Sequence, residues 1–164
     1  MIPENYCLKC KGCCRFKKAD SAWSPCLLEE EIQELLDKNI PSACICPDKK
    51  LMVVPCQQEE CFICPFLEIK DNRCRIYGFR PFECQLYPFL INFRGGKVIL
   101  TLDLNCPYVA EHLKDEEFKK YTEYLISFLN SPGQLRLLKD NPQILQAYEE
   151  VLDIIELDVS DENK

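Results

Sequence analysis

Apolar positions fall into two regimes along the chain. From residue 25 to 38, Leu27, Leu28, Ile32, Leu35 and Leu36 recur at helical spacing, with Glu29, Glu30 and Glu31 near the start. That spacing predicts an amphipathic helix. Ser24-Pro25 reads as its cap and first-turn proline, and Asn39 and Pro41 as its stop. Residues 41–65 have no sustained period, and only Leu51-Met52-Val53-Val54 looks like a strand. Two hairpins follow. Residues 66–69 and 74–77 flank Lys70-Asp71-Asn72-Arg73, and residues 86–93 and 98–102 flank Arg94-Gly95-Gly96-Lys97. The second is the stronger, because paired glycines accept the positive φ of a tight hairpin turn. After Cys106-Pro107 the pattern turns helical. Asp115 is expected to cap a helix through Phe118, Tyr121, Leu125, Phe128 and Leu129, and Ser131-Pro132 and Asn141-Pro142 open two more. The last is expected to carry Ile144, Leu145, Tyr148, Val151, Leu152 and Ile155.

These elements predict one α+β domain over residues 1–164, a small cysteine-rich metal-binding fold with short hairpins and loops covered by C-terminal helices. Residues 1–106 form its cysteine-cluster part, 107–158 its helical part and 159–164 an acidic tail. Nothing in the pattern repeats, and no linker divides it.

Composition changes the picture through one residue type. Thirteen of the 164 residues are cysteine. No apolar run reaches the ~18 residues needed to span a bilayer. The first residues, Met-Ile-Pro-Glu-Asn-Tyr-Cys, lack the basic and apolar regions of an export signal. A cytoplasmic setting is therefore expected, where thiols stay reduced and free thiols at ligand spacing bind metal. The odd count, and cysteines too close to pair with one another, also argue against a disulfide scaffold.

The formal charge of −7 disfavours nucleic acid as a partner. It is unevenly spread. Residues 5–18 hold Lys9, Lys11, Arg15, Lys17 and Lys18 with no acid, and residues 73–97 hold Arg73, Arg75, Arg80, Arg94 and Lys97 against Glu83 alone. Both segments are cysteine-bearing, and their cations would offset the net −2 of a four-thiolate centre. Ordinary solvated lysine and arginine is the other reading.

The cysteines form an ordered series. Cys7-Leu-Lys-Cys10-Lys-Gly12-Cys13-Cys14 comes first, with Gly12 easing a tight turn. Its spacing is similar to the opening of a bacterial ferredoxin motif, without that motif's fourth cysteine and proline. Adjacent side chains diverge, so Cys13 and Cys14 suggest two neighbouring centres, or one ligand and one spare thiol. Then come Cys64-Pro-Phe-Leu, Cys74-Arg-Ile-Tyr77, Arg80-Pro81-Phe-Glu-Cys84 and Cys106-Pro107. Eight thiols suffice for two four-thiolate sites.

This ordered set resembles the zinc- or iron-chelating CxxCxxCC family, often called YkgJ-like cysteine-cluster proteins, over residues 7–106. The resemblance implies metal binding, with Cys7, Cys10, Cys13, Cys14, Cys64, Cys74, Cys84 and Cys106 as ligands and Tyr77, Arg80 and Pro81 matching the family's Y-x2-R-P element. A similar module occurs in flagellin lysine methylases. This chain shows no glycine-rich loop for S-adenosylmethionine, so that activity is not carried over.

Five cysteines depart from the pattern. Cys26 is read as core. Cys44-Ile-Cys46 and Cys61-Phe-Ile-Cys64 have chelating spacing, which in the second also suits a redox dithiol, and Cys56 is unassigned. Arg80 is expected to be held in place by the fold, as a donor to cluster sulfur or through a salt bridge or loop carbonyl. Tyr77 is read as core, and His112, the only histidine, as a surface or packing residue. Trp23, Phe16 and the phenylalanines and tyrosines of residues 77–93 are read as walls of the site that exclude water. Thiolate-only ligation permits both iron and zinc. The expected function is an iron–sulfur protein with one or two clusters, such as 4Fe-4S, in electron transfer or redox sensing. The alternatives are a zinc protein with structural four-cysteine sites and a partner-binding surface, or a metal carrier. The partner is an unidentified protein or redox molecule, no catalytic residue is assigned, and the sequence does not decide whether the chain is an enzyme.

Overall fold

The structure is a computed structural model that describes residues 2–10 and 12–159. Lys11 and the acidic tail beyond Val159 lie outside the described residues. Secondary structure combines short antiparallel sheets with helices, so the α+β class holds. The chain divides into two compact units, Ile2–Tyr87 and Pro88–Lys164.

In the first unit the elements are short: α1 (Glu4–Cys7), β1 (Arg15–Phe16), α2 (Glu29–Asp37), β2 (Val54–Pro55), β3 (Phe62–Ile63), β4 (Leu67–Glu68), β5 (Arg73–Cys74) and α3 (Phe82–Leu86), with 3-10 turns at Ser42–Cys44 and Tyr77–Phe79. One antiparallel sheet has the order β1-β3-β2, and a second consists of β4-β5. Their core is Phe16, Leu27, Leu35, Leu51, Val53, Ile63, Phe66, Leu67 and Ile76. Phe16 is thus a core residue, while Trp23 lies at the surface.

Helix α2 begins later than its apolar spacing predicts, with Leu28 and not Ser24 as its cap. The reason is backbone pairing. Leu27 N–H donates to the Lys49 carbonyl (2.8 Å) and Leu51 N–H to the Pro25 carbonyl (2.9 Å), which holds residues 25–27 extended. Ser24 instead donates its hydroxyl to the Leu51 carbonyl at 2.6 Å. The expected strand at 51–54 shrinks for the same reason: Leu51 bridges Ile45, and only Val54–Pro55 joins the sheet. The first hairpin is also shorter than predicted, with Asn72 closing its turn at φ 56°.

In the second unit, β6 (Phe89–Arg94), β7 (Lys97–Asp103) and β8 (Val151–Leu157) form an antiparallel sheet with β7 central. Gly95 and Gly96 take φ of 61° and 78°, the left-handed values a two-residue turn requires. Three helices intervene before β8: α4 (Pro107–His112), α5 (Glu116–Leu129) and α6 (Pro132–Asp140). Helix α5 packs through Phe118, whose ring stacks on Phe89 at 5.7 Å. The expected last helix is corrected: Pro142–Ile144 makes only a 3-10 turn, and Val151–Leu157 is a strand. Its β-branched run suits the β7 edge, and Leu157, Ile155 and Leu152 pair with Val98, Leu100 and Leu102. Leu86, expected at the start of a strand, instead ends helix α3, and the strand begins at Phe89. No helix among the described residues is long and apolar enough to cross a membrane.

Cys26 is core, at 1% exposure. Desolvation, then the Glu83 charge, pushes its thiol up to about 12. The folded state therefore keeps this proton while the unfolded chain loses it near the ordinary thiol value. Stability is complete below about pH 8.5 and is lost as pH rises toward 12, at about 1.4 kcal/mol per pH unit from this group. Urea unfolding at pH 8 and pH 10.5 checks this. Cys26→Ala should flatten the loss, and parallel pH profiles for the two proteins would contradict it.

Candidate metal centre

Strand register brings the cysteine motifs of the first unit together. Arg15 pairs with Ile63 and Phe16 with Phe62. One step further along this register, Cys14 stands opposite Cys64, and Cys64 N–H donates to the Cys14 carbonyl at 3.0 Å. The β4-β5 hairpin then folds Cys74 back toward Cys64, pairing Leu67 with Cys74, while Arg75 N–H donates to the Phe66 carbonyl (2.9 Å).

Cys84 comes from α3, and two carboxylates fasten that helix. Buried Glu83 accepts from the Cys26 backbone N–H at 2.6 Å. Glu31 accepts from the Phe82 N–H at the start of α3 and from Leu28 N–H at 2.9 Å. Burial raises the Glu31 carboxyl above its usual range, with the two backbone donors opposing. Neither carboxylate was singled out as functional in the sequence. Both look like ordinary surface acids in a glutamate-rich chain.

The result is a set of four thiols in electrostatic reach of one another: Cys13, Cys64, Cys74 and Cys84. Desolvation pushes Cys64 up to about 12, with the Cys74 and Cys13 charges adding to it. Cys84 is raised far above the usual thiol value by desolvation and then by Cys64, Cys13, Glu83 and Cys74. Cys74 is raised by desolvation and by Cys13, against the lowering influence of Arg80 and Arg75. Cys13 is raised first by a hydrogen bond with the Cys14 thiol, then by desolvation, with Arg80 opposing. Thiols that discourage one another's ionisation are a concentrated site for positive charge.

Arg80 lies over the Tyr77 ring, 4.2 Å from its centroid. This stack holds a cation beside Cys13 and Cys74. Pro81 then caps α3. The Y-x2-R-P element thus links a fixed charge to the helix that presents Cys84.

The remaining motif cysteines are placed differently. Cys7 ends α1, and Cys10 follows on its loop. Asn72 clamps that loop, donating to the Cys7 carbonyl at 3.0 Å and to the Cys10 carbonyl. Arg15 in turn donates to Asn72 Oδ1 at 2.7 Å. Gly12 lets the loop close: a Cβ there would stand 3.2 Å from Cys10 Sγ. Asn72 was read from sequence only as a turn residue. Cys106 is buried in the second unit, where it caps α4. His112 shares that helix and bonds Asp115 at 2.7 Å.

Cys61 and Cys64 have chelating spacing but an extended segment between them. They flank the extended β3, and residues three apart on a strand leave opposite faces. Cys44 and Cys46 lie on either side of Ile45, which bridges Leu51. Cys46 Sγ approaches Met52 Sδ at 3.8 Å. Among the described residues, no three histidine, cysteine, aspartate or glutamate side chains converge closely enough to hold a bare ion.

The donor chemistry still fits a metal. Four soft thiols, with Arg80 and Arg75 nearby, match the ligand preference of zinc and of iron–sulfur clusters. Comparison with known proteins agrees. Residues 6–124 match the model of the CxxCxxCC family, described as "Putative zinc- or iron-chelating domain", and the chain belongs to that family. Over 72 residues it is also 35% identical to an uncharacterized protein of Methanocaldococcus jannaschii. That match covers 40% of this chain and 40% of the relative. No solved structure matches the chain.

Proposed function

We propose that this metal-binding protein carries an iron–sulfur cluster, held by Cys13, Cys64, Cys74 and Cys84, and acts in electron transfer or redox sensing. The observation behind this reading is an all-thiol set, Cys13, Cys64, Cys74 and Cys84, in one electrostatic neighbourhood beside Arg80 and Arg75. Such a set suits the iron corners of a cluster, and the ferredoxin-like spacing of Cys7, Cys10 and Cys13 favours that over a single four-thiolate zinc. When bound, the cluster would supply a one-electron redox couple whose potential responds to neighbouring charge and hydrogen bonds.

The chain's own groups prepare that site. Arg80 and Arg75 offset the anionic thiolates. Asn72 fixes the Cys7–Cys10 loop to the hairpin that presents Cys74, and Glu83 fixes the helix that presents Cys84. Cys14 rests against the first unit's core with its thiol bonded to Cys13. In this reading Cys13 is the ligand of the pair and Cys14 its neighbour.

Protein purified without oxygen tests the reading. It should be brown, contain iron and acid-labile sulfide in about equal amounts, and bleach on reduction, as a cubane cluster requires. Colourless protein that retains zinc and no sulfide would overturn it in favour of a four-thiolate zinc site.

A further inference from the structure

Cys56 and Cys61 lie outside the family's cysteine pattern, yet the fold pairs them. Strands β2 and β3 match Val54 with Ile63 and Pro55 with Phe62. The next step of that register sets Cys56 against Cys61 across the hairpin tip Gln57-Gln58-Glu59-Glu60. The Cys56 N–H donates to the Cys61 carbonyl at 2.9 Å, so the ladder does reach this pair. Their thiols also hydrogen bond to each other.

Residues directly opposed in a hydrogen-bonded antiparallel pair have Cα atoms about 5.5 Å apart, within the range a disulfide spans. Both cysteines are only half-buried, at the end of a hairpin a small molecule can reach. Desolvation, then Cys56 and Glu59, raises the Cys61 thiol above its ordinary value, with Arg15, which sits 3.8 Å from Glu59, opposing. By contrast, Cys64, three residues along, turns to the other face and belongs with the four-thiol set.

We propose that Cys56 and Cys61 form a redox-active dithiol, separate from the metal ligands, that is oxidised to a disulfide by low-molecular-weight disulfides. One cysteine, as its thiolate, attacks a sulfur of the small disulfide. The S–S bond breaks, and one small thiolate leaves and takes up a proton. The second cysteine then attacks the protein-bound sulfur of the mixed disulfide and releases the other small thiol. Two cysteine thiols lose two protons and two electrons, and the oxidant is recovered as two thiols. Four intervening residues keep the second thiol beside the first, so the mixed disulfide resolves within the hairpin.

The test uses the full-length, metal-containing chain and oxidised glutathione. After anaerobic treatment, free thiols are alkylated and the protein is cut after glutamate, which opens the Glu59-Glu60 tip. Without reductant, the peptide ending at the tip should remain joined to the one beginning beyond it, and fragmentation should place the bond at Cys56 and Cys61. This should be the first protein disulfide formed, with metal content unchanged. Cys56→Ser should lose the link and retain a glutathione adduct on Cys61. Cys61→Ser should give the mirror result at Cys56. The proposal is overturned if another pair forms first, if the unsubstituted protein stops at glutathione adducts on these cysteines, or if the link appears only after metal is released.

Discussion

Removing metal from the loaded protein with a strong chelator should raise amide hydrogen exchange across Ile2–Tyr87, while the β6-β7-β8 sheet keeps its protection. The difference follows from how each unit is built. Strands β1 to β5 are two residues each, so their ladders contain few hydrogen bonds. Residues 38–61 add little regular structure beyond one 3-10 turn and short pairings. Such a framework gains fixed geometry when thiols from four separate segments are tied to one centre. Structural metal in small domains is worth about 10–16 kcal/mol, comparable to the whole stability of a typical domain. The second unit instead has long ladders of six β6-β7 pairs and six β7-β8 pairs, the latter with one bulge after Leu100. It also buries Phe89, Leu100, Leu102, Val109, Leu129, Leu138 and Ile144. The expected result is loss of protection in β1, β3, β4, β5 and α3 on chelation. Equal protection before and after metal removal would refute the claim that ligation stabilises this unit.

The cysteine motifs were the most legible feature of the sequence, because their spacing survives without knowledge of the fold. The α+β class was legible too, since the helical periods of α2 and α5 and the paired glycines at 95 and 96 are local signals. What stayed hidden depends on register. Nothing local says that Cys14 will stand opposite Cys64, or Cys56 opposite Cys61; each follows from strands only two residues long. Nor does the spacing of Cys61 and Cys64 say that a strand lies between them, and C-x-x-C converges in a turn but diverges along a strand. Strand β8 was missed because Val151, Leu152 and Ile155 also fit a helical stripe. Leu152 and Ile155 remain partly exposed at the sheet edge, so burial does not impose a clean alternation. Asn72, Glu31 and Glu83 were invisible for another reason: they act through backbone groups far away in sequence, with Asn72 reaching Cys7 across 65 residues and Glu83 reaching Cys26 across 57.

The second large effect concerns the ligands themselves. Cys13→Ser, Cys64→Ser, Cys74→Ser and Cys84→Ser should each lower retained metal by on the order of tenfold or more, because losing a ligand removes a bond and leaves the site open to water. Cys14→Ser should keep its metal, since Cys14 serves as the hydrogen-bonding neighbour of Cys13. Cys26→Ser, Cys56→Ser and Cys61→Ser should keep it as well, because these thiols belong to the core and to the hairpin pair. The most direct measurement is metal bound per chain for single serine variants at all thirteen cysteines, prepared anaerobically and compared with the unsubstituted protein. The account predicts that Cys13, Cys64, Cys74 and Cys84 fall together as one group. Full metal retention in the variants at those four positions, with loss confined to other cysteines, would contradict it.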